Sequence, residues 1–258
     1  MNLTWFGSNS WSIEMAGEQV LLDPWFVGDL VFGNAPWFIR GFHTQPVQIP
    51  ENVSLILLTQ GLPDHAHPET LKKLDRTIPV VGPPSAAKVA RSLGFETVTA
   101  LPPAETFSWK QLEIKAFPGA PLGPQAVGNA YVLKDLESQA TLYNEPHGYY
   151  SKTLSKAAPV DVVLTPLVGL NLPVLGPFIR GNHYALDLIQ MLQPQVVLPT
   201  TTADGDVKFT GLLNNFISAQ GSLDEFCNRL RETLPTARVI APIPSQRMDI
   251  PLQVRAKV

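Results

Sequence analysis

A rhythm that occurs twice narrows the possible folds more than any other feature. A group of strand-like segments closes in a strand-helix unit across Met1 to Leu93, and again across Asn129 to Leu192. In the first group LTWF, SWSIEM and QVLLDPW read as antiparallel strands, with a turn at Ala16-Gly17-Glu18 and a stop at Pro24. After Pro50 the buried-type run SLILLT leads through QGLPDHAH into PETLKKLDR, where Pro68 suits a first helical position. IPVVG and SAAKVARSLG repeat that unit, with Gly94 as the helix stop. TFSWK, LEIKAF, NAYVLKD and ATLYNE continue as strands, followed by VDVVLTP and a helix from about Tyr184 to Leu192. QVVLPT, a helix over Leu223 to Leu234 and the strand ARVIAP complete the order. Such strand groups bury one sheet face against the other and cover the outer faces with helices. The expectation is an α/β, four-layer αββα sandwich forming a single domain over residues 1–258, with two similar halves of roughly 1–125 and 126–258.

Composition removes several function classes. A hydrophobic content of 45% and a net charge of −3 fit a soluble globular protein and give no electrostatic footprint for nucleic acid. The single cysteine, Cys227, excludes an internal disulfide framework and a multi-Cys metal centre. The opening MNLTWFGSNSW lacks the basic and apolar regions of a secretory signal, so a cytoplasmic location is expected. Pro159 to Ile179 is long and apolar, but Asp161, Asn171 and five Pro or Gly residues would leave backbone groups unpaired in lipid, so it is not read as a span.

Chemistry must therefore come from histidines, carboxylates or hydroxyls. Three of the five histidines closely follow apolar strands, at DHAH after SLILLT and at EPHG after ATLYN, and loops at strand ends are where α/β proteins place their sites. Asp64, His65 and His147 would form a mixed N/O set with open positions, suited to Zn²⁺, Fe²⁺ or Mn²⁺.

The start LTWFGSNSWSIEMAGEQVLLDPW and the order of motifs after it resemble metallo-β-lactamase-fold hydrolases, above all the branch with L-ascorbate-6-phosphate lactonase and the N-acyl-phosphatidylethanolamine phospholipase D. The resemblance implies a His-x-His-x-Asp-His loop, which here has Gln60 and Leu62 for its first two histidines and keeps Asp64 and His65. A third histidine is missing from FPGAPLGP, Thr201 stands for the last one, and His147 falls where the family has its bridging Asp, with Glu145 as the rival. It thus implies a degenerate site: no three-histidine subsite, at most one metal ion, and hydrolysis of an ester, lactone or phosphodiester bond.

In that scheme Asp64 is a ligand or proton acceptor, His65 and His147 are ligands, and Glu145 or His67 is an orienter or general base. His67 is also a candidate fourth ligand and, preceding Pro68, a candidate helix cap. Asp23 in LLDPW reads as a turn stabiliser. Trp25, Phe26, Trp37 and Phe38, with His183, suggest an aromatic cleft for an apolar small-molecule substrate; a lid on the core, or a patch meeting a membrane surface or partner protein, fits the same residues. Two rivals to the hydrolase stay open: a metal-free binding or assembly protein that uses the cleft, and a mononuclear iron site with redox chemistry.

Overall fold

The first strands pair as their turn residues dictate. β1 (Asn2–Trp5), β2 (Trp11–Met15) and β3 (Glu18–Leu22) form an antiparallel meander in which Trp5 faces Trp11 and Met15 faces Glu18. Ala16 and Gly17 between β2 and β3 have φ of 54° and 73°, the paired positive values that a two-residue hairpin of this twist requires. The computed structural model describes residues 1–123, 127–173, 176–200 and 207–253.

After β4 (Leu30–Val31) and β5 (Arg40–His43) the chain enters β6 (Leu55–Leu57), α1 (Pro68–Lys73), β7 (Val80–Gly82), α2 (Pro84–Ser92) and β8 (Val98–Ala100). A second meander follows: β9 (Thr106–Trp109), β10 (Leu112–Pro121), β11 (Val127–Asp135) and β12 (Thr141–Asn144). Then come β13 (Val162–Thr165), β14 (Gly169–Leu172), β15 (Gly176–Ile179), α3 (His183–Leu192), β16 (Val196–Pro199) and β17 (Val207–Thr210). The chain closes with β18 (Ser218–Gln220), α4 (Leu223–Thr233), β19 (Arg238–Val239) and β20 (Arg247–Asp249).

Two seven-stranded sheets result, ordered β20-β1-β2-β3-β6-β7-β8 and β19-β16-β13-β12-β11-β10-β9. Alternation along each strand sorts side chains to two faces. Val20, Leu22 and Leu57 from one sheet join Ile114, Leu142 and Leu164 from the other in the central core, while Leu21 and Ile56 pack outward beneath α1 and α2. Val163 and Val197 likewise face outward, toward α3 and α4. This is the expected αββα sandwich. The sheets divide the chain between Ala100 and Thr106 rather than near residue 125, because β9 to β12 are one continuous meander, and β20 returns to pair with β1.

The apolar stretch ending at Ile179 folds into β13, β14 and β15; among the described residues no helix is long and apolar enough to cross a membrane. Two small sheets, β17-β5-β4 and β15-β14-β18, lie outside the large ones. The parallel neighbours β3 and β6 run in register from Val20↔Leu55 to Leu22↔Leu57, and β12, β13 and β16 are aligned likewise. Their C-terminal ends carry the loops that build the site.

Candidate metal centre

The loop leaving β6 turns sharply: the N–H groups of His65 and Ala66 both donate to the Leu62 carbonyl, at 3.0 and 2.8 Å. The turn sends His65 fully inside and leaves Leu62 43% exposed. Gly61 lets the loop lie against α2, since a Cβ there would sit 2.7 Å from the Ser85 backbone. His65 is then held between two carboxylates, with Nδ1 2.7 Å from Asp23 Oδ2 and Nε2 3.1 Å from Asp64 Oδ2.

Asp23 is itself locked. It follows β3 at a φ of 43°, a strained value for a non-glycine residue, and its carboxylate accepts the Thr59 N–H at 2.7 Å and the Thr59 hydroxyl. Burial alone would lower the His65 pKa, but the Asp64 and Asp23 carboxylates outweigh it and raise it to about 10. Burial pushes the Asp23 carboxyl up against the pull of His65 and Thr59. Burial opposes ionisation of Asp64 too, yet the charge and hydrogen bond of His65 hold its carboxyl below the ordinary range.

His147 is held differently, by the main chain of its own turn. Glu145, after β12, is buried and accepts N–H groups from Ala120 (3.1 Å), His147 (2.9 Å) and Tyr149 (2.7 Å). Burial raises its carboxyl to about 7 despite those three donors. Gly148 has a φ of 76°, and a Cβ on it would fall 1.8 Å from the Arg180 carbonyl oxygen, so only glycine fits there. Arg180 N–H donates to the His147 carbonyl at 2.8 Å, tying the turn to the end of β15. Burial and the neighbouring His65 charge drive the His147 pKa down to about 3, against the attraction of Asp64.

The His65 and His147 rings lie 5.0 Å apart, and Gln60 Nε2 is 3.1 Å from His147 Nδ1. Gly128 on β11 makes room for Gln60, because a Cβ there would be 2.8 Å from its side chain.

Asp64, His65 and His147 each offer one ligand atom, all within 4.8 Å of one another. Ligands ~2.1 Å from one ion are at most about 4.2 Å apart, so a bound metal would draw the three in slightly. Among the described residues, two buried oxygens lack partners here, Asp64 Oδ1 and Gln60 Oε1. Turning the Gln60 amide by half a turn would place Oε1 on a His147 Nδ1–H and leave Nε2 with its lone pair. The donor set, the orphaned carboxylate oxygen and the partial exposure of Asp64 and His147 fit a divalent ion with open coordination positions.

Other expected site residues lie elsewhere. His67 is not brought to the cluster: its Nδ1 accepts the Thr70 N–H as the cap of α1, and its Nε2 is 3.4 Å from the Asp29 carbonyl, so both nitrogens are occupied. Glu145 is buried beside His147, its Oε1 3.9 Å from Nδ1, and both its oxygens accept main-chain N–H groups. Trp25 and Phe26 are buried; the Trp25 ring packs on His43, His67 and Phe209, and Phe26 on Phe6. Trp37 and Phe38 are 69% and 38% exposed and stack edge to face beside β5. His183 is exposed at the start of α3 with its ring 4.0 Å from that of Tyr184. Thr201 lies outside the described residues. Sequence reasoning missed Asp23 as the clasp of His65; the available signal was an Asp directly after a strand that neighbours the DHAH strand.

Two facing mixed sheets between helices, with a carboxylate and two imidazoles converging at strand ends, define the metallo-β-lactamase fold class. The profile of the family described as Beta-lactamase superfamily domain matches residues 2–201, and the chain belongs to that superfamily. A UPF0173 metal-dependent hydrolase of Xanthobacter autotrophicus is 32% identical over 104 residues, which are 36% of this chain and 39% of that relative's length. An isothiocyanate hydrolase from Delia radicum gut bacteria shares the fold at a TM-score of 0.71 and 18% identity, over 97% of this chain and 99% of the other. CmlA, a diiron β-hydroxylase from Streptomyces venezuelae, shares it at a TM-score of 0.66 and 16% identity, over 96% of this chain and 53% of the other.

Proposed function

We propose that the protein is a divergent hydrolase of the metallo-β-lactamase fold that holds one divalent metal ion on Asp64, His65 and His147 and cleaves an ester, lactone or phosphodiester bond. The observation that carries this reading is the convergence of those three side chains from two facing sheets, with a buried carboxylate oxygen left unpartnered. A metal there supplies a Lewis acid and a bound water whose pKa falls towards ~7. The chain's own residues do the rest. Asp23 takes the Nδ1 proton of His65 in a hydrogen bond, which fixes the ring and leaves Nε2 as the ligand. Gln60 selects which His147 nitrogen keeps its lone pair, and Glu145 fixes the turn that presents His147. Leu62 and Gln60, replacing imidazoles, offer nothing from which to build a second metal position of the same kind.

Elemental analysis of protein purified without affinity tag or chelator tests this. Near one metal per chain, lost in both Asp64→Ala and His147→Ala with the circular dichroism unchanged, is expected, together with turnover of a member of an ester, lactone and phosphodiester panel. Metal-free protein whose Tm ignores added Zn²⁺, Mn²⁺ and Fe²⁺ would favour the binding-protein reading instead. A second reading has one observation in its favour: two histidines and one carboxylate are the donor set of non-haem iron oxygenases. Selective iron loading with no hydrolysis would move the assignment there.

A further inference from the structure

We infer that Arg180 is the seat of an anion-binding subsite beside the metal centre, and that the substrate carries a carboxylate or phosphate group that binds there. Arg180 ends the β15 segment, and its main chain is tied to the His147 turn on both sides, by its N–H on the His147 carbonyl and by its carbonyl packed on Gly148. Its guanidinium lies 3.9 Å from the centre of the Tyr149 ring and 5.1 Å from that of Tyr184. Those contacts hold the cation by its face and leave its N–H groups unspent.

The remaining observations say what those N–H groups lack. Arg180 Nε is buried without a partner, and among the described residues no hydrogen bond or ion pair of the side chain is found. Among the described arginines this is the exception: Arg40 and Arg247 pair with carboxylates, and Arg76, Arg91, Arg229, Arg231 and Arg238 bond to carbonyl or amide oxygens. The nearest acid on α3, Asp187, acts on Tyr150 but makes no ion pair with Arg180.

The start of the ten-residue α3 adds to the positive field. Its cap residue Asn182 makes no capping bond, its side-chain oxygen being taken by Arg229 at 2.5 Å, and the first turn holds no acid. A planar guanidinium with free donors, on rings, beside an uncapped helix start is built for a forked oxyanion. An oxyanion there would anchor the substrate by a charged group, which an apolar cleft alone cannot do.

That the anion belongs to a substrate rests on the hydrolase reading; that the subsite takes an anion does not. The test titrates inorganic phosphate and acetate into the metal-stripped full chain, followed by NMR. Saturable millimolar binding is expected, weakened at least tenfold in Arg180→Gln and less in Arg180→Lys; the phosphate and acetate arms separate the two kinds of group. Phosphate should also slow phenylglyoxal modification of Arg180, mapped by peptide mass, which needs no variant. Absence of binding, or binding and protection indifferent to Arg180, overturns the subsite. With metal restored, Arg180→Gln should raise KM for a carboxylate-bearing ester and spare its neutral counterpart, and equal losses on both overturn the substrate role. If neither ester turns over, the hydrolase reading fails while the anion titration still decides on Arg180.

Discussion

The loop after β6 and the turn after β12 bring two histidines to within 5.0 Å ring to ring, yet fix them by opposite means. His65 is sealed and clasped by the side chains of Asp23 and Asp64, which raise it to about 10. His147 is partly open, carried by a turn whose N–H groups bind Glu145, and touched by the neutral amide of Gln60; burial and the His65 charge lower it to about 3. One imidazole is thus a proton carrier that a metal must displace, and the other is a free base already. A clasp of charged side chains concentrates its energy in a few groups, whereas a turn held by the main chain depends on backbone shape. That contrast is what substitutions can break.

The largest effect is expected from Gly148→Ala. A Cβ at that position would fall 1.8 Å from the Arg180 carbonyl oxygen, and the φ of 76° disfavours any L side chain. Backbone strain and overpacking together should cost about 2–4 kcal/mol, read as a lower midpoint in urea. An equally large loss from Gly17→Ala, whose added Cβ would meet nothing within 4 Å, would show that positive φ alone and not the backbone contact dominates.

Asp23→Asn comes next and acts on the other region. It keeps the volume and removes the charge that orients His65, so metal affinity should fall about 10- to 100-fold with the fold retained, as competition with a chromogenic chelator would measure. Unchanged affinity would return Asp23 to a purely architectural role.

The same clasp sets a pH dependence in the metal-free protein. His65 is raised from 6.5 to about 10, so its stabilisation is complete below 6.5 and disappears as pH rises through 10. His147 is lowered from 6.5 to about 3, so its contribution is present above 6.5 and is lost as pH falls toward 3. Glu145, raised from 4.5 to about 7, gains stability over 7 to 4.5 and masks part of that acid-side loss. Asp23→Asn should therefore flatten the alkaline side of a Tm-against-pH curve, and His147→Gln should change only the acid side. Identical curves for the two variants would mean that the histidines do not differ as described.

How much of this the sequence shows follows from the distance over which each feature is encoded. Strand and helix periods are local, so the sandwich was legible from SLILLT, NAYVLKD and the segments around them, and so was a helix starting at Pro68. Asp64 and His65 are adjacent, and His147 stands right after a strand, so the donor set could be read as well. The supports could not: Asp23 meets His65 across 42 positions and Gln60 meets His147 across 87, and no spacing rule spans such gaps. The aromatic run leaves its two readings open for a related reason. Trp25 and Phe26 look like Trp37 and Phe38 in composition, and only the packing of β17 against β5 and of Phe6 on Phe26 decides which are covered. The meander that moved the sheet boundary to residues 100–106 is likewise a matter of pairing, not of period.

Gln60→Ala should give the smallest effect and the sharpest comparison. Its contact with His147 joins two neutral groups at 3.1 Å, so its loss should remove roughly 1 kcal/mol, about fivefold in metal affinity. Asp23, making the corresponding contact to His65 with a full charge, is expected to exceed that severalfold. A second difference should appear in the kind of recovery. Gln60→Glu puts a carboxylate on Nδ1 of His147, so that ring would be clasped in the manner of His65, and its pKa in the metal-free protein should rise from about 3, as NMR titration of the imidazole would record. If it stays low, burial rather than the neutral partner sets the state of His147, and the contrast between the two loops lies in depth alone.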